Sequence, residues 1–317
     1  MKGIELFEDE GTAEVEGTDA DLAKALGDGA LDEIENLVLG GRLTAVPSAI
    51  TRLKRLKRLD VTSGKIKSLP AETFELATLE TLGLSESKIA TLPAGGWGRL
   101  VELRDLQLTT DVTALPDDLG DAPLLGGPFD LAPMRKLATL PESFGRLAHV
   151  TELRLPPKAK SLPSSIAGMS ALTMLDVSER AIAALPDDLG RLPALAVVRA
   201  VSARLKALPE SLGDCASLTE LHLGGNQLTA IPDSLGRAPK LQVLDVSGNP
   251  LGAVPESLAA APALRKLGLH DTRVTTLPPA FARTALTKLT LPAANEAALR
   301  ASSGEVLQAL GDRVVFY

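Results

Sequence analysis

The residue most able to carry covalent chemistry is Cys215, the single cysteine of the sequence. A catalytic thiol must be an accessible thiolate beside a basic group. Cys215 instead occupies the place that later segments fill with Ala238 and Ala261, which is typical of a buried slot for small side chains. We therefore expect a structural cysteine. A lone cysteine also excludes an intramolecular disulfide and a zinc site built from cysteines.

Histidine could bind a metal ion, and the sequence has three histidines. His222 and His270 both fall on concave positions of the predicted sheet, but two strands would separate them by about 10 Å, which is too far to share a metal ion. The sequence lacks GxxxxGKS/T and HExxH motifs, and Gly95-Gly96-Trp97-Gly98 has the wrong spacing for a nucleotide-binding GxGxxG. We expect no catalytic residue, no metal site and no cofactor, and hence no enzyme.

The composition is that of a folded protein. Of the 317 residues, 45% are hydrophobic and 23% are charged, which excludes wholesale disorder. No run of about 18 apolar residues could span a membrane, and the acidic start MKGIELFEDE does not resemble a secretory signal. We therefore predict a cytoplasmic protein, with non-classical export left open.

The charge is unevenly distributed. Residues 1–35 contain twelve acids and two bases, a balance of −10, so the rest of the chain carries +3 of the net charge of −7. This balance argues against nucleic-acid binding, which depends on neutralising phosphates. The basic stretch 52–67 is the exception. We interpret it as a solvated rim that faces the acidic N-terminal segment, the alternative being a phosphate or acidic-lipid site.

A proline preceded by leucine, valine or isoleucine recurs along the chain, mostly every 23 residues. Self-similarity with such a period indicates a repeat architecture. The recurring prolines are Pro47, Pro70, Pro93, Pro116, Pro141, Pro163, Pro186, Pro209, Pro232, Pro255 and Pro278.

Each repeat combines two spacings. Leu-x-x-Leu-x-Leu ends in the alternation of a short strand, as at Leu241, Leu244 and Val246, and Pro-x-x-Leu-x-x-Leu/Ala has the spacing of a helical or 3₁₀ turn. Neither half can bury its apolar side alone. Stacked coils would pair the strands into a parallel sheet over one continuous core. We therefore predict one solenoid with twelve strands rather than two domains.

The repeats resemble those of the leucine-rich repeat family, in the class with consensus LxxLxLxxNxLxxLPxxLxxLxx that occurs in Scribble-like and Ras-suppressor-like scaffolds and in many bacterial proteins. The resemblance covers roughly residues 34–292. It implies an α/β solenoid, a right-handed horseshoe of about 12 coils with a concave parallel β-sheet. It also implies that the concave sheet binds other proteins.

Both ends of such a solenoid need covering. Residues 1–33 predict a hairpin around Asp9-Glu10-Gly11 and then a helix capped by Thr18, with Asp21 three residues on. Residues 293–317 predict a helix and a final strand, VVFY. We interpret both segments as caps of one structural domain, with the repeats at 34–292 between them.

The sequence departs from the family consensus in two ways. Asn226 and Asn249 alone occupy the asparagine position, whose side chain in the family bonds the backbone of neighbouring coils. We expect water or local turns to supply these bonds elsewhere. The irregular repeat at 117–160 should bulge, either as tolerated drift or as a binding loop. In other repeats the asparagine position holds Gly64, Ser87, Arg180, Ala203 and Thr272.

Four large aromatic side chains follow anchor prolines, where other repeats place leucine. We therefore expect them in the core and not at an interface. A binding face without aromatic side chains predicts modest, salt-sensitive affinity. The four residues are Phe74, Trp97, Phe144 and Phe281.

A partner would contact the side chains that point out of the concave sheet, which alternate with buried residues along each strand. This position is charged or ionisable in every repeat from Arg154 to Asp245, with both signs. The mixture either keeps the sheet soluble or binds a partner of complementary charge. The candidate binding residues are Arg58, Asp60, Gln107, Glu152, Arg154, Asp176, Arg199, Glu220, His222, Asp245 and His270.

The sequence therefore predicts a non-enzymatic interaction module, with a monomer favoured, that binds a protein or peptide on its concave face. The alternative is a bacterial effector-type protein that sequesters a host or competitor protein. An enzyme on a repeat scaffold would instead need a deep pocket lined by paired carboxylates.

Overall fold

The computed structural model describes residues 4–7 and 11–317. The chain divides into two compact units, Met1–Val150 with Pro156–Lys158, and Thr151–Leu155 with Ala159–Tyr317. We call them unit 1 and unit 2. In both, a repeat consists of a short strand, a turn and, in most repeats, a short 3₁₀ helix. That the whole chain is one structural domain stays a prediction.

The strands are short. Each repeat contains one, and three more of the described strands lie in the segments 1–33 and 293–317. In chain order the strands are β1 (Ile4–Phe7), β2 (Thr12–Val15), β3 (Asn36–Leu39), β4 (Arg58–Val61), β5 (Thr81–Gly83), β6 (Asp105–Gln107), β7 (Gly126–Asp130), β8 (His149–Arg154), β9 (Met174–Asp176), β10 (Val197–Arg199), β11 (Glu220–His222), β12 (Val243–Asp245), β13 (Lys266–Gly268), β14 (Lys288–Leu291) and β15 (Val314–Phe316).

Most of the 3₁₀ helices follow the anchor prolines. They cover Ser48–Arg52, Ala71–Glu75, Trp97–Arg99, Leu119–Asp121, Glu142–Arg146, Ser164–Gly168, Leu189–Arg191, Glu210–Asp214, Asp233–Arg237, Glu256–Ala260, Pro279–Arg283, Ala293–Asn295 and Gly311–Arg313. The α-helices are α1 (Asp19–Gly27) and α2 (Glu296–Leu310).

The N-terminal segment contains the predicted hairpin and helix. β1 and β2 pair in the antiparallel direction, and the predicted turn residues Asp9 and Glu10 lie outside the described residues. Thr18 caps α1, since its backbone N–H donates to the Asp21 carboxylate at 2.8 Å and its hydroxyl oxygen accepts from the Asp21 N–H at 3.4 Å. That these elements serve as a cap stays a prediction.

The leucines of successive strands lie in register and form the core of each unit. In unit 1, strands β2 to β6 pair in parallel and in sequence order. In unit 2, strands β8 to β15 do the same. One central residue in each strand from β8 to β14 is almost inaccessible, and such burial stabilises the fold by about 1.5–3 kcal/mol per side chain. These residues include Leu153, Leu175, Val198, Leu221, Leu244, Leu267 and Leu289.

Asn226 and Asn249 bond the backbone of neighbouring coils, as the family consensus implies. Asn226 Oδ1 accepts from the N–H groups of Ala203 and Leu205 at 3.0 and 2.9 Å. The Nδ2 groups of Asn226 and Asn249 both donate to the Leu223 carbonyl, at 2.7 and 3.0 Å. These side chains satisfy backbone groups that would otherwise be buried without partners.

In other coils different side chains bond these backbone groups, either across to the neighbouring coil or, at Ser87 and Thr272, within their own turn. The Arg180 guanidinium donates to the Leu155 carbonyl from Nε at 3.1 Å and from Nη2 at 2.8 Å. Hydroxyl groups can donate in the same way. In the repeat whose asparagine position the sequence assigns to Gly64, the neighbouring residue Ser63 donates the hydrogen bond instead. Backbone carbonyls accept from the buried hydroxyl groups of Ser63, Ser87, Thr109 and Thr272.

The irregular repeat interrupts the sheet of unit 1, as predicted. In the described chain β7 does not join the six-stranded sheet that ends at β6. Pro128 lies inside β7 and has no N–H to donate to a ladder. The coil nevertheless packs well, since Phe129 is buried and its ring meets that of Phe144 edge-on at a centroid distance of 5.8 Å.

The aromatic residues that follow anchor prolines are buried, which confirms the expectation that they fill the core. The rings of Phe74 and Trp97 meet edge-on at 5.5 Å. Trp97 Nε1 donates to the Pro93 carbonyl at 2.9 Å, so its polar edge is satisfied inside the coil.

The basic stretch faces the acidic N-terminal segment, as expected. Lys57 Nζ lies 2.7 Å from Glu35 Oε2, and Arg55 forms a salt bridge with Glu33. The hydrogen bond from Lys57 holds the pKa of Glu35 below its ordinary value, and the same bond raises the pKa of Lys57. These pairs are exposed and contribute little to stability. They also neutralise positive charge that the binding of a phosphate would need.

Glycines allow the 3₁₀ helices of successive coils to lie against one another. A Cβ at Gly213 would clash with the carbonyl oxygen of Ser234, and a Cβ at Gly236 would clash with that of Ser257. Gly120 and Gly190 meet a serine carbonyl in the same way. The backbones can approach this closely only where no side chain intervenes.

Gly236→Ala should therefore destabilise the protein by about 1–3 kcal/mol, because the added methyl group must push two coils apart. The matched control is Gly252→Ala, at a glycine whose added Cβ would meet nothing within 4 Å. We expect the control to change the free energy of unfolding by less than about 0.5 kcal/mol. Urea unfolding measures both, and equal effects would contradict the close coil contact.

Candidate functional site

The register of unit 2 arranges the outward side chains of its sheet in two columns. In each strand from β8 to β14 two residues on either side of a buried residue point away from the core, to the same side of the sheet. The first column contains Glu152, Met174, Val197, Glu220, Val243, Lys266 and Lys288. The second contains Arg154, Asp176, Arg199, His222, Asp245, Gly268 and Thr290. We call these two columns together the open face.

The first column includes apolar side chains that the sequence analysis missed. Met174, Val197 and Val243 are each half-buried on the open face. They occupy positions equivalent to Glu220 and Lys266, so the repeat alignment itself was the signal that could have found them. The open face therefore offers apolar contacts between its charged groups.

Asp176 was expected to be an exposed binding residue, and the structure corrects this. Its side chain is only 8% accessible, and the Nε of Arg154 lies 3.2 Å from its Oδ2. Its Oδ1 accepts from the Ser178 N–H at 2.9 Å. The carboxylate thus holds Arg154 and the turn after β9 in place, and Arg154 is the exposed member of the pair.

Further along the second column the candidate residues differ in their contacts. Arg199 is exposed and makes no salt bridge in the described part of the chain, so the expected pair with Asp176 does not form. His222 Nε2 lies 2.8 Å from Glu220 Oε2. Asp245 Oδ1 accepts from the Ser247 N–H at 3.0 Å, which fixes its carboxylate at the surface.

Three candidate residues lie in unit 1 rather than in unit 2. Arg58 and Asp60 form an ion pair, with Nε 2.6 Å from Oδ2, and the hydrogen bond that Arg58 donates to Asp60 raises the pKa of Arg58. Gln107 Nε2 donates to Asp105 Oδ2 at 2.8 Å. These side chains form hydrogen bonds within their own strands. They belong to the six-stranded sheet of β1 to β6 and not to the open face.

A groove of about 350 Å³ lies at the β12 to β15 end of the open face. The ring of Tyr317 forms one wall, 5.8 Å from the ring of His270 and 6.0 Å from Lys288 Nζ. Two backbone bonds anchor the tyrosine: its N–H donates to Leu291 at 3.0 Å, and its carbonyl accepts from Ala293 at 2.7 Å. The expectation of a face without aromatic side chains was therefore wrong.

The described residues contain no cluster of three or more His, Cys, Asp or Glu side chains that could hold a metal ion. A depression on the hairpin is lined by Glu5, Glu14 and Glu16, of which Glu5 and Glu16 are exposed. Such solvated carboxylates lack the enclosure that tunes an acid and base pair for catalysis.

Cys215 is structural, as expected. The side chain is inaccessible to solvent, and Sγ lies 3.5 Å from the Leu195 carbonyl and 3.8 Å from that of Leu192. Burial raises the pKa of the thiol above its ordinary value, since the apolar surroundings disfavour the thiolate. A nucleophilic role would require the opposite shift.

Three stretches of the sequence match the profile of the leucine-rich repeat family: residues 54–111, 217–238 and 240–260. They coincide with coils whose buried leucines and strand register are described above. The chain is a leucine-rich repeat protein. Among curated proteins none matches its sequence.

Several solved leucine-rich repeat structures are similar in fold. A chain of the Drosophila Toll–Spatzle complex is 26% identical with a TM-score of 0.66, over 83% of this chain and 36% of that one. The plant peptide hormone receptor RGFR1 in complex with RGF2 is 23% identical with a TM-score of 0.63, over 90% and 47%. A Leptospira interrogans leucine-rich repeat protein is 21% identical with a TM-score of 0.50, over 95% and 100%.

The chain thus spans less than half the length of the chains that it matches in the Toll–Spatzle and RGFR1–RGF2 complexes. Leucine-rich repeats are in general non-catalytic protein-interaction scaffolds. Among the described residues, none of the helices has the length and apolar character required to cross a bilayer.

The burial of Cys215 in its leucine-rich repeat leads to a direct test. In the native protein at pH 8 a thiol reagent such as DTNB should react with Cys215 at least about 100-fold more slowly than with glutathione, because the thiol is inaccessible and its pKa is raised. In urea the rates should become similar. Rapid modification of the native protein would contradict the structural role.

Proposed function

We propose that this leucine-rich repeat protein is a non-enzymatic binding module that holds a protein or peptide on the open face of unit 2. The observation that carries the proposal is the arrangement of that face. Some of its charged side chains are positioned by hydrogen bonds, as in the Arg154–Asp176 pair, and half-buried apolar side chains lie between them. A surface that served solubility alone would need neither feature.

The contacts favour a binding role for specific residues. Arg199 presents a guanidinium group that no carboxylate of the described chain neutralises. Guanidinium groups can bind carboxylates through two parallel hydrogen bonds, and arginine is enriched where proteins meet. Because Arg154 is held by Asp176, its guanidinium group is oriented before a partner arrives, which reduces the entropy lost on binding.

The apolar members of the first column supply the other part of the interaction. Val197 and Val243 flank Glu220 in register, so a partner that lies along this column would remove both from water. Each square ångström of apolar surface buried contributes about 25 cal/mol. Charged contacts then select the partner and accelerate its approach.

The similar structures agree with this proposal. One is a complex of a plant receptor with the peptide hormone RGF2, and another is the complex of Toll with Spatzle. Two finer interpretations of the sequence stay predictions. They are a cytoplasmic location and the alternative of a bacterial effector that sequesters another protein.

The test compares two variants with the same change in charge. Val197→Asp/Arg199→Asp alters the open face on β10, whereas Arg191→Asp/Ala194→Asp alters the preceding segment of the same coil outside that face. Proteins that the wild type captures from the source organism are quantified by mass spectrometry. The first variant should lose the specific partner at least about tenfold, equivalent to about 1.4 kcal/mol, and the second should retain it.

Thermal unfolding of both variants provides the control for folding. A partner lost equally from the two variants, or retained by both, would contradict binding at the open face.

A further inference from the structure

Two lysines lie side by side at the end of the open face. Lys266 and Lys288 are directly opposite each other in the register of β13 and β14, and both are exposed. Neither forms a salt bridge with any carboxylate in the described part of the chain. Like charges directly opposite one another on neighbouring strands are unfavourable, so an anionic group placed between them would relieve this repulsion.

The groove beside the lysines has an apolar and aromatic wall. Tyr317 stands over Lys288 and against His270, held by its backbone bonds to the segment that follows β14. Gly268 forms part of the floor, where its lack of a side chain leaves room for the Asp245 carboxylate. A ligand can therefore pack an apolar group against the ring while its charge reaches the lysines.

The negative charge of the groove lies apart from the lysines. Asp245 belongs to the second column, and Lys266 and Lys288 belong to the first. Two residues along a strand correspond to about 7 Å. Asp245 is also held by the Ser247 N–H. The groove thus has a basic side at the lysines and an acidic side at Asp245.

We call the groove beside Lys266 and Lys288 the lysine groove. We infer that it binds an acidic segment of a partner protein, with a carboxylate side chain between the two lysines and an apolar side chain against Tyr317. The inference rests on the proposed function and names the chemistry of one part of the partner. The unneutralised lysine pair carries the charge complementarity, and the groove of about 350 Å³ accommodates side chains rather than a folded domain. Asp245 makes the groove a poor site for a densely charged polyanion such as a nucleic acid.

The test uses a short fluorescein-labelled peptide in which glutamates are flanked by leucines, and a matched peptide with glutamines. Fluorescence anisotropy measures the affinity of the full chain for each. The glutamate peptide should bind at least about tenfold more tightly, and its affinity should fall as salt is added. Equal binding of the two peptides, or tighter binding of a lysine counterpart, would overturn the inference.

Variants locate the site. Lys266→Gln/Lys288→Gln should weaken the glutamate peptide about tenfold, whereas Lys206→Gln/Lys240→Gln removes the same charge from exposed lysines of unit 2 outside the open face and should have little effect. A similar loss of affinity in both variants would mean that net charge alone attracts the peptide, and it would overturn binding at the two lysines.

The aromatic wall is tested at Tyr317. Tyr317→Phe should retain binding of the glutamate peptide, because the ring and not the hydroxyl contacts the ligand, and Tyr317→Ala should weaken it several-fold. Unchanged binding by Tyr317→Ala would show that the ring takes no part. Tighter binding of a phosphoserine peptide than of the glutamate peptide would overturn the inference of a carboxylate ligand and indicate a phosphate instead.

Failure of the acidic-segment inference can be distinguished from failure of the proposed function. If the lysine variant captures the cellular partner as the wild type does while Val197→Asp/Arg199→Asp does not, the acidic-segment inference fails and the proposed function stands. If neither variant affects the partner, the open face itself is excluded.

Discussion

No coil of this protein can bury its leucines without a neighbour. A single repeat has one short strand and one turn, and its apolar side chains become inaccessible only when the next coil covers them. Pairing of successive strands in register satisfies the backbone at the same time. Because the strands from β8 to β14 each place a central residue in the core, the residues on either side of it are forced outward, and the open face is a direct consequence of the packing.

The second demand comes from the turns that follow the strands. Their buried carbonyls need donors, and the chain meets this need with asparagine in two coils and with hydroxyl or guanidinium groups in others. The same geometry requires glycine where one 3₁₀ helix touches the next. The consensus is therefore a set of physical roles that several residue types can fill, which explains how the fold tolerates such irregular repeats.

The sequence was sufficient to predict the strand positions, the burial of Cys215 and the interruption near Pro128, because each depends on local spacing and on the absent proline N–H. It was insufficient where side chains cross between coils. The pairing of Asp176 with Arg154 depends on side-chain rotamers, and Ser63 replaces Gly64 because the turn points its hydroxyl inward. The position of Tyr317 beside His270 depends on the register of β15, which no repeat pattern specifies.

The most direct measurement of the central claim is thiol accessibility along one strand. In a Cys215→Ala background, single variants Val198→Cys, Arg199→Cys and Ala200→Cys place a thiol at three consecutive positions. Because Val198 and Ala200 are inaccessible and Arg199 is exposed, Arg199→Cys alone should react with DTNB in the folded protein. Fast reaction at Val198→Cys or Ala200→Cys, or protection of Arg199→Cys, would contradict the stacked coils and the open face together.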